Sequence, residues 1–319
     1  MATLIKDITS LKLYVSVNKN LDWQSVSPYI KQAERKYIIP LIGSAMYAAN
    51  IVDGYTPADK PLEVYELIRE ASANLAWFLY LPLANVQVSD SGIATSQGEH
   101  HKAAEWWQIR DLRRSFLDAG FSALDEALKI MEANEADFTD WKASTGYTIF
   151  AELFVKRTDT FQRWFNISNS RRTFLAMRPY MLESHHQYFT SVLNPATIED
   201  IKALSVLPID LLQPELQVVD HLQAAMVNYS VAKALHSGSF GLTATGIYEK
   251  MDDFPGYKTK SVDETQLNNA KNDRLIAAEE HYKKAIKLIS ENTAVFTSYV
   301  SKESATFIKP KNTKSTLAL

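Results

Sequence analysis

The sequence predicts a mainly α-helical protein made of two tandem, related helical-bundle modules, each with a small β-hairpin. The first reason is that the chain repeats itself. Val26-Ser27-Pro28-Tyr29-Ile30, followed by Ala33, Tyr37, Leu41, Ile42 and Gly43, returns as Met177-Arg178-Pro179-Tyr180-Met181, followed by Ser184, Tyr188, Val192, Leu193 and Asn194. Asn74 and Gly92-Ile93 then meet Asn228 and Gly246-Ile247, and Ala127-Leu128-Lys129-Ile130 meets Ala285-Ile286-Lys287-Leu288. The second reason is apolar spacing at three and four residues through the repeated stretches, the mark of one buried helical face. The third is that turn-forming residues fall at matched places in both halves. What recurs is mostly apolar or turn-forming, so a fold has been copied and no set of reactive side chains with it.

Each copy opens with a short apolar lead, Leu11, Tyr14, Val15 and Val17 in the first and Phe161, Trp164, Phe165 and Ile167 in the second. A helix is then expected after Asn20/Asp22 and after Ser168/Ser170, all residue types that cap helix N-termini. Its buried stripe reads Val26, Ile30, Ala33, Tyr37, Leu41, and in the second copy Met177, Met181, Ser184, Tyr188, Val192. Pro28 and Pro179 lie inside this pattern, where a proline removes a backbone donor and costs about 3 kcal/mol. An irregular first turn is the expected accommodation.

Pro61 after Asp59, and Pro214, suit the first turn of a second helix, with Tyr65, Ile68, Ser72, Leu75 and Leu79 as its stripe. Helical period ends near Asn85. A small hairpin is expected around Asp90-Ser91-Gly92, and its counterpart around Leu242 to Tyr248. A long third helix is expected from about Glu99 to Ala133, with Trp106, Ile109, Leu112, Phe116, Ala123, Ala127 and Met131 on its apolar face. Gly120 in its middle costs about 1 kcal/mol relative to Ala and suggests a close helix approach. Its partner spans about Asp263 to Glu291 through Leu267, Leu275, Tyr282, Ile286 and Ile289. These elements divide the chain into module 1 (1–133), a linker (134–157) in which Tyr147-Thr148-Ile149-Phe150 suggests a strand, module 2 (158–300) and a flexible C-terminal tail (301–319). The tail carries Lys302, Lys309, Lys311 and Lys314 against Glu303 and lacks helical period.

Composition narrows the function classes. The 319 residues suit about two domains, 46% are hydrophobic, and the formal net charge is −3. A charge near zero provides no global basic field for nucleic acid. Cysteine is absent, which removes disulfides and thiolate chemistry together. The first residues have Lys6 and Asp7 where a signal peptide needs an apolar core, so no targeting segment is expected. The apolar run Leu75 to Val88 is interrupted by Pro82, Asn85 and Gln87 and is too short to span a bilayer.

No residue pattern points to catalysis. His100-His101 and His185-His186 are adjacent pairs, not the i, i+4 couple of a helical metal site, and are expected to be exposed polar residues. Asp7, Asp22, Glu34, Asp53, Asp59 and Glu63 form no acid/base couple. Ser237-Gly238-Ser239-Phe240-Gly241 lacks the Lys-Ser/Thr of a phosphate loop and reads as a connection. Arg110, Arg113 and Arg114 share one helical face with Asp111 and Asp118 nearby, and read as a solvated, ion-paired face. The sharper alternative for them, and for Arg171, Arg172 and Arg178, is a surface meeting nucleic acid or an acidic partner. Of Trp106 and Trp107, one must turn away from the core and is an interface candidate. No catalytic, cofactor-binding or metal-binding residue is therefore expected.

The segment Ile5 to Gly43, with Asp7-Ile8, Leu11-Lys12, Ile30, Ala33-Glu34, Tyr37-Ile38, Pro40-Leu41-Ile42-Gly43, resembles the first half of helical head–tail connector (adaptor) proteins of tailed phages. The resemblance covers about 40 residues per copy. The second copy departs from it at Ser184-His185 and Asn194. Ser89-Asp90-Ser91-Gly92-Ile93, Arg110-Asp111-Leu112-Arg113 and Gly120-Phe121 with Ala123-Leu124-Asp125 carry a second, nearly full-length resemblance, to an uncharacterised protein family of Bacteroidetes phages and prophages.

Together these resemblances imply a structural virion protein and no enzyme: a ring in the neck between portal and tail, acting by multivalent contacts. The expected partners are the phage portal protein, tail or neck proteins and further copies of the chain in a homo-oligomeric ring. Non-specific contact with packaged DNA is possible and membrane contact is not expected. The expected location is the virion neck, and the host cytoplasm during assembly. A different class stays open: a soluble intracellular adaptor or phage assembly factor that is not retained in the particle.

Overall fold

The computed structural model describes residues 3–16, 21–50, 59–84, 86–89, 92–95, 104–205, 207, 210–236, 240–243, 246–249 and 264–299. The C-terminal tail 301–319, His100-His101, Asp53 and the hairpin turn Asp90-Ser91 lie outside them. The first half runs α1 (Ile8–Leu11), α2 (Trp23–Ala33), a π-helical turn (Glu34–Ile38), α3 (Ile39–Ile42), α4 (Ser44–Asn50) and α5 (Asp59–Ala84). Strands β1 (Val86–Ser89) and β2 (Gly92–Thr95) and helix α6 (Trp106–Ala133) follow. A single 3₁₀ turn (Glu135–Asp137), α7 (Thr139–Lys142) and α8 (Thr145–Ala151) lead to the second half. That half runs α9 (Thr158–Trp164), α10 (Arg171–Ser184), a second π-helical turn (His185–Phe189), α11 (Pro195–Leu204), α12 (Pro214–His236), β3 (Phe240–Thr243), β4 (Gly246–Glu249) and α13 (Glu264–Glu291). The strands form two separate two-stranded antiparallel ladders, with Val86 opposite Thr95 and Phe240 opposite Glu249. The architecture is mainly helical and repeated.

The long helices pair in the same way in both halves. Gly120 of α6 faces Leu75 of α5, and Arg113 of α6 reaches the carbonyl of Phe78. Numbers fall along one helix as they rise along the other, so the pair is antiparallel. In the second half His221 meets His281 and Asn228 meets Arg274, the same arrangement of α12 and α13. A Cβ on Gly120 would stand 2.7 Å from Leu75 Cγ, so the glycine's helix cost permits the close approach its position suggested. Helix α5 is buried on every side from Ala71 to Phe78 and is the centre of its half. The stripe expected on one face is therefore only part of its buried surface.

The helix before it holds the main surprise. Asp22 caps α2 and Ser170 caps α10, each side chain accepting a backbone N–H of the first turn, and the helices run regularly past Pro28 and Pro179. The expected irregular first turn is not there. The irregularity comes later, in the two π-helical turns, which occupy equivalent places in the two copies. A π turn inserts one residue, and at 3.6 residues per turn that rotates everything after it by about 100°. The buried stripe is Val26, Ile30, Ala33 up to the turn, and Ile38 and Ile42 after it. Tyr37 and Leu41, predicted for that face, are only half-buried. The second copy makes the same one-residue shift: Met177, Met181 and Ser184 are followed by Phe189 and Leu193, with Tyr188 and Val192 half-buried.

After the turn the copies diverge. Gly43 ends α3 at φ 85°, a left-handed conformation that favours glycine. Its counterpart Asn194 has φ −77° and caps α11, accepting the Thr197 N–H at 2.9 Å.

Two further expectations are corrected. Residues 147–150 form no strand; they lie in α8. Ser144 caps that helix by accepting the Tyr147 N–H, and Tyr147 donates to Glu135 at 2.8 Å while its ring meets Trp141 edge-on. Local capping and ring packing outweigh the β preference of the run. The third helix starts at Trp106 rather than Glu99, and Trp106 and Leu112, assigned to its apolar face, are exposed. Residues 134–157 are packed: Phe138 and Trp141 join the first buried cluster, and Leu153, Phe154 and Val155 join the second.

The register shift is directly testable with adjacent aliphatic residues. Ile42→Ala should lower stability by about 2–5 kcal/mol, as for a buried aliphatic side chain, and Leu41→Ala by clearly less. Leu193→Ala against Val192→Ala should show the same order. Urea denaturation of the four variants measures this, and the reverse order would show that the helix runs without the wide turn.

Candidate functional site: a buried ionic seam between the two halves

Helix α6 carries an acid at Asp118, Asp125 and Glu132. Seven residues bring an α-helix back to within about 20° of the same face, so the three carboxylates form one row. The second half supplies the cations that meet it. Arg171 Nη1 lies 3.5 Å from Asp125 Oδ1, and its Nη2 lies 3.8 Å from Glu132 Oε1. Arg157 Nε lies 3.1 Å from Glu132 Oε2. Thr158 donates to Asp125 at 2.8 Å, and Lys129 of α6 itself reaches Asp125 at 3.3 Å. Desolvation raises the Asp118 carboxyl, and the charges of Arg114 and Arg172 oppose that shift without reversing it. Nearby, Arg178 pairs with Glu152 at 2.6 Å.

Asp118 is exposed, whereas the two later acids of the row and Arg171 are out of water. Asp125 and Glu132 are each 4% exposed and Arg171 5%. Burial pushes the Glu132 carboxyl up to about 7 against the opposing pull of Arg171 and Arg157. Desolvating a charge costs several kcal/mol unless a partner offsets it, so each member requires the others. The cavity beside Arg171 and Arg178, bounded by Leu41, Leu128 and Phe174, holds about 10 Å³, no more than one water needs. The seam is a packed joint, not a ligand pocket.

The chain is bent to deliver Arg171 there. Ser168 and Asn169 adopt φ 56° and 51°, costly for residues other than glycine. Two side chains hold this turn. Gln162 Oε1 accepts the N–H groups of Ile167 and Asn169 at 2.8 and 3.0 Å, and Asn166 Oδ1 accepts that of Ser168 at 2.8 Å. Helix α10 then starts at Arg171, where the helix dipole disfavours a cation. The α6 carboxylates reverse that preference.

The π turns place a second pair of polar residues in the cores. Glu34 opens the first turn and is fully buried. It accepts from the Leu4 N–H and Ser72 hydroxyl at 2.9 Å and from the Tyr47 hydroxyl at 2.6 Å. Burial raises its carboxyl and these three bonds oppose the shift. It thereby ties the N-terminal segment to α4 and α5. Its counterpart His185 opens the second turn, packs against Phe154 and Phe189, and is driven down to about 4 by burial, then by Lys202 and His186.

The residues singled out in the sequence divide accordingly. His185, expected to be exposed, is buried, because it lies one turn after Met181 on the same helical face, whereas His186 is exposed. Arg171 and Arg178, read as surface cations, are buried in ion pairs; Arg172 is half-buried. Arg110 pairs with Asp111 at 2.7 Å and lies over the Trp106 ring, while Arg113 lies over Phe78. Trp106 and Trp107 are both exposed, at 53% and 48%. Asp7 and Asp22 are helix caps. No group of three metal-ligating side chains occurs among the described residues, and none of their helices is long and apolar enough to cross a membrane. The seam and the buried Glu34 were not recognised as sites in the sequence, although the seven-residue spacing of acids on α6 was a readable signal.

Two outcomes check this electrostatic account. Arg171→Met should cost about 3–5 kcal/mol, the usual result of removing one partner from a buried pair, measured by urea denaturation. Titration gives the second. Glu132, with its folded value raised, contributes stability that is complete below the ordinary carboxylate value and lost as pH rises through about 7. His185, with its value depressed, contributes stability that is complete above the ordinary imidazole value and lost as pH falls through about 4. Between those limits the two oppose each other. Relative to the parent chain, Glu132→Gln should make the melting temperature rise more with pH, and His185→Leu should make it rise less.

Comparison with known proteins adds one relationship. The model of a family of unknown function, DUF6712, matches twice, over residues 17–151 and 189–307, in keeping with the duplicated fold. No curated protein and no solved structure matches the chain. With most of its length covered by those two matches, the chain belongs to the DUF6712 family.

Proposed function

We propose that this protein is a structural component of a tailed-phage particle, forming part of the neck that joins portal to tail. The observation that carries the reading is the seam: two copies of one helical scaffold are held together by buried charges in a dry joint. Such a body suits a task of shape and spacing. The connector-like pattern of Ile5 to Gly43 supplies the phage context. The exposed Trp106 and Trp107 beside Arg110 offer side chains of the types enriched at protein interfaces. In this reading the chain forms a homo-oligomeric ring by lateral contacts, with portal and tail or neck proteins above and below. A ring of six chains would present twelve related modules to a twelve-fold portal. The protein would act in the virion neck after assembly in the host cytoplasm, with no catalytic step.

Quantitative mass spectrometry of purified particles, counting this chain against the portal subunit, tests the proposal. A ratio near one half or one is the expected result, and the half value fits twelve modules from six chains. A much higher ratio would move the protein to the capsid or tail tube. Its absence from particles would replace the connector reading with that of an assembly factor or adaptor.

A further inference from the structure

Helices α12 and α13 are joined by two histidines. His221 Nδ1 and His281 Nδ1 lie 3.1 Å apart, with ring centroids at 5.2 Å. That is a hydrogen-bond distance, so one ring donates its Nδ1–H and the other accepts on a bare Nδ1, whichever takes which part. Both rings sit in the joint. His221 is the one residue from Val218 to Ala232 that is only half-buried. His281, also half-buried, lies between the buried Ala278 and Ala285 of α13. Trp164 of α9 packs edge-on against His281, with centroids 5.1 Å apart.

The repeat shows that the scaffold does not need these histidines. Stepping back equally from the matched Asn74 and Asn228 pairs Leu67 with His221, and from the matched Ala127 and Ala285 pairs Ala123 with His281. The same places in the helix pair hold a leucine and an alanine in one copy and two imidazoles in the other. Leucine and alanine take no proton, whereas the imidazoles titrate as a pair. The first added proton goes to the free Nε2 of the donating ring and leaves Nδ1–H···Nδ1 intact. The second must go to the accepting Nδ1, because the Nε2 of that ring already carries its hydrogen. Two N–H groups and two positive charges then face each other inside the joint.

We propose that His221 and His281 form an acid-sensitive latch, which ties α13 to α12 while the pair holds at most one added proton and releases it when the second arrives. The surroundings agree. Burial is the largest influence on both rings and holds both below the ordinary imidazole value. Lys284, one turn along α13, adds to that depression at both rings, and His221 adds to it at His281. Asp220 at both rings, and Glu280 at His281, pull the other way without reversing it. Asp220 is itself held by Arg163 of α9 at 2.9 Å. Because the folded pair binds protons more weakly than free rings do, the stabilisation by the latch is complete above the ordinary imidazole value and is lost as pH falls below it. Acid therefore loosens the helix pair of the second half at a place where the first half has no group to titrate. This latch is independent of the neck assignment.

The test is hydrogen exchange of the full chain at about pH 7.5 and about pH 5, either side of the ordinary imidazole value, with protection corrected for the intrinsic pH dependence of exchange. Protection of α13 should fall on acidification, and by about tenfold or more beyond the fall in the double variant His221→Leu/His281→Ala. That variant carries the residues of the first copy and retains His185, so the acid response of His185 is common to both proteins. Equal falls in parent and variant would overturn the proposal. Nitrogen-15 NMR of the imidazoles in the parent chain needs no substitution and decides the matter if the variant does not fold. Near neutrality one of the two rings should be the Nδ1–H tautomer and the other the Nε2–H tautomer, and the pair should titrate in two separate steps. Two Nε2–H rings titrating together at the ordinary imidazole value would contradict the latch.

Discussion

Arg171 sits between two carboxylates that water does not reach, and the relation of the two halves depends on that contact. A lone buried guanidinium is not tolerated, nor are Asp125 and Glu132 without their partners. The buried charges face opposite charges when α10 lies across the α6 acidic row. Apolar burial alone would accept sliding or rotation, because it has no direction. The ionic seam supplies the direction. The preceding chain is shaped for it, with two residues forced into left-handed conformations and held by Gln162 and Asn166.

A second constraint is inherited in duplicate. In each copy a proline-bearing helix ends in a π-helical turn that moves the buried face by one residue. The turn commits one polar side chain to each core, and the copies have solved that demand differently. Glu34 is retained as a hydrogen-bonded carboxylate that ties three segments together, while His185 is held neutral against phenylalanines. Divergence is also visible at Gly43 and Asn194, where one copy stops a helix and the other starts one. The two halves thus share a scaffold while differing in the groups it buries.

Much of the fold was legible because helix caps and period are local. Asp22 and Ser170 were readable as N-caps, and the C-terminal ends of α6 and α13 followed from where the apolar spacing stops. The stripe was correct as far as Ala33 and Ser184 and wrong beyond them. A π turn has no period of its own, so it registers only as a one-residue error downstream. The run at residues 147–150 misled because β preference is a weak term; Ser144, Trp141 and Glu135 decide its state through contacts outside the run. The candidate site was half legible. Acids at every seventh position of α6 mark a common face, but their partners lie in the other copy, and only the tertiary arrangement shows Arg157 and Arg171 facing them. Adjacent arginines 171 and 172 read as a surface for the same reason.

The central claim is that the seam makes one cooperative body of the two copies. Hydrogen exchange followed by mass spectrometry across a urea series measures this directly, by comparing protection of α5, the centre of the first half, with that of α12, its counterpart in the second. If the seam couples the halves, both helices lose protection in a single transition. Two transitions at well-separated urea concentrations would show that the modules unfold independently, and that the buried charges do not hold them together.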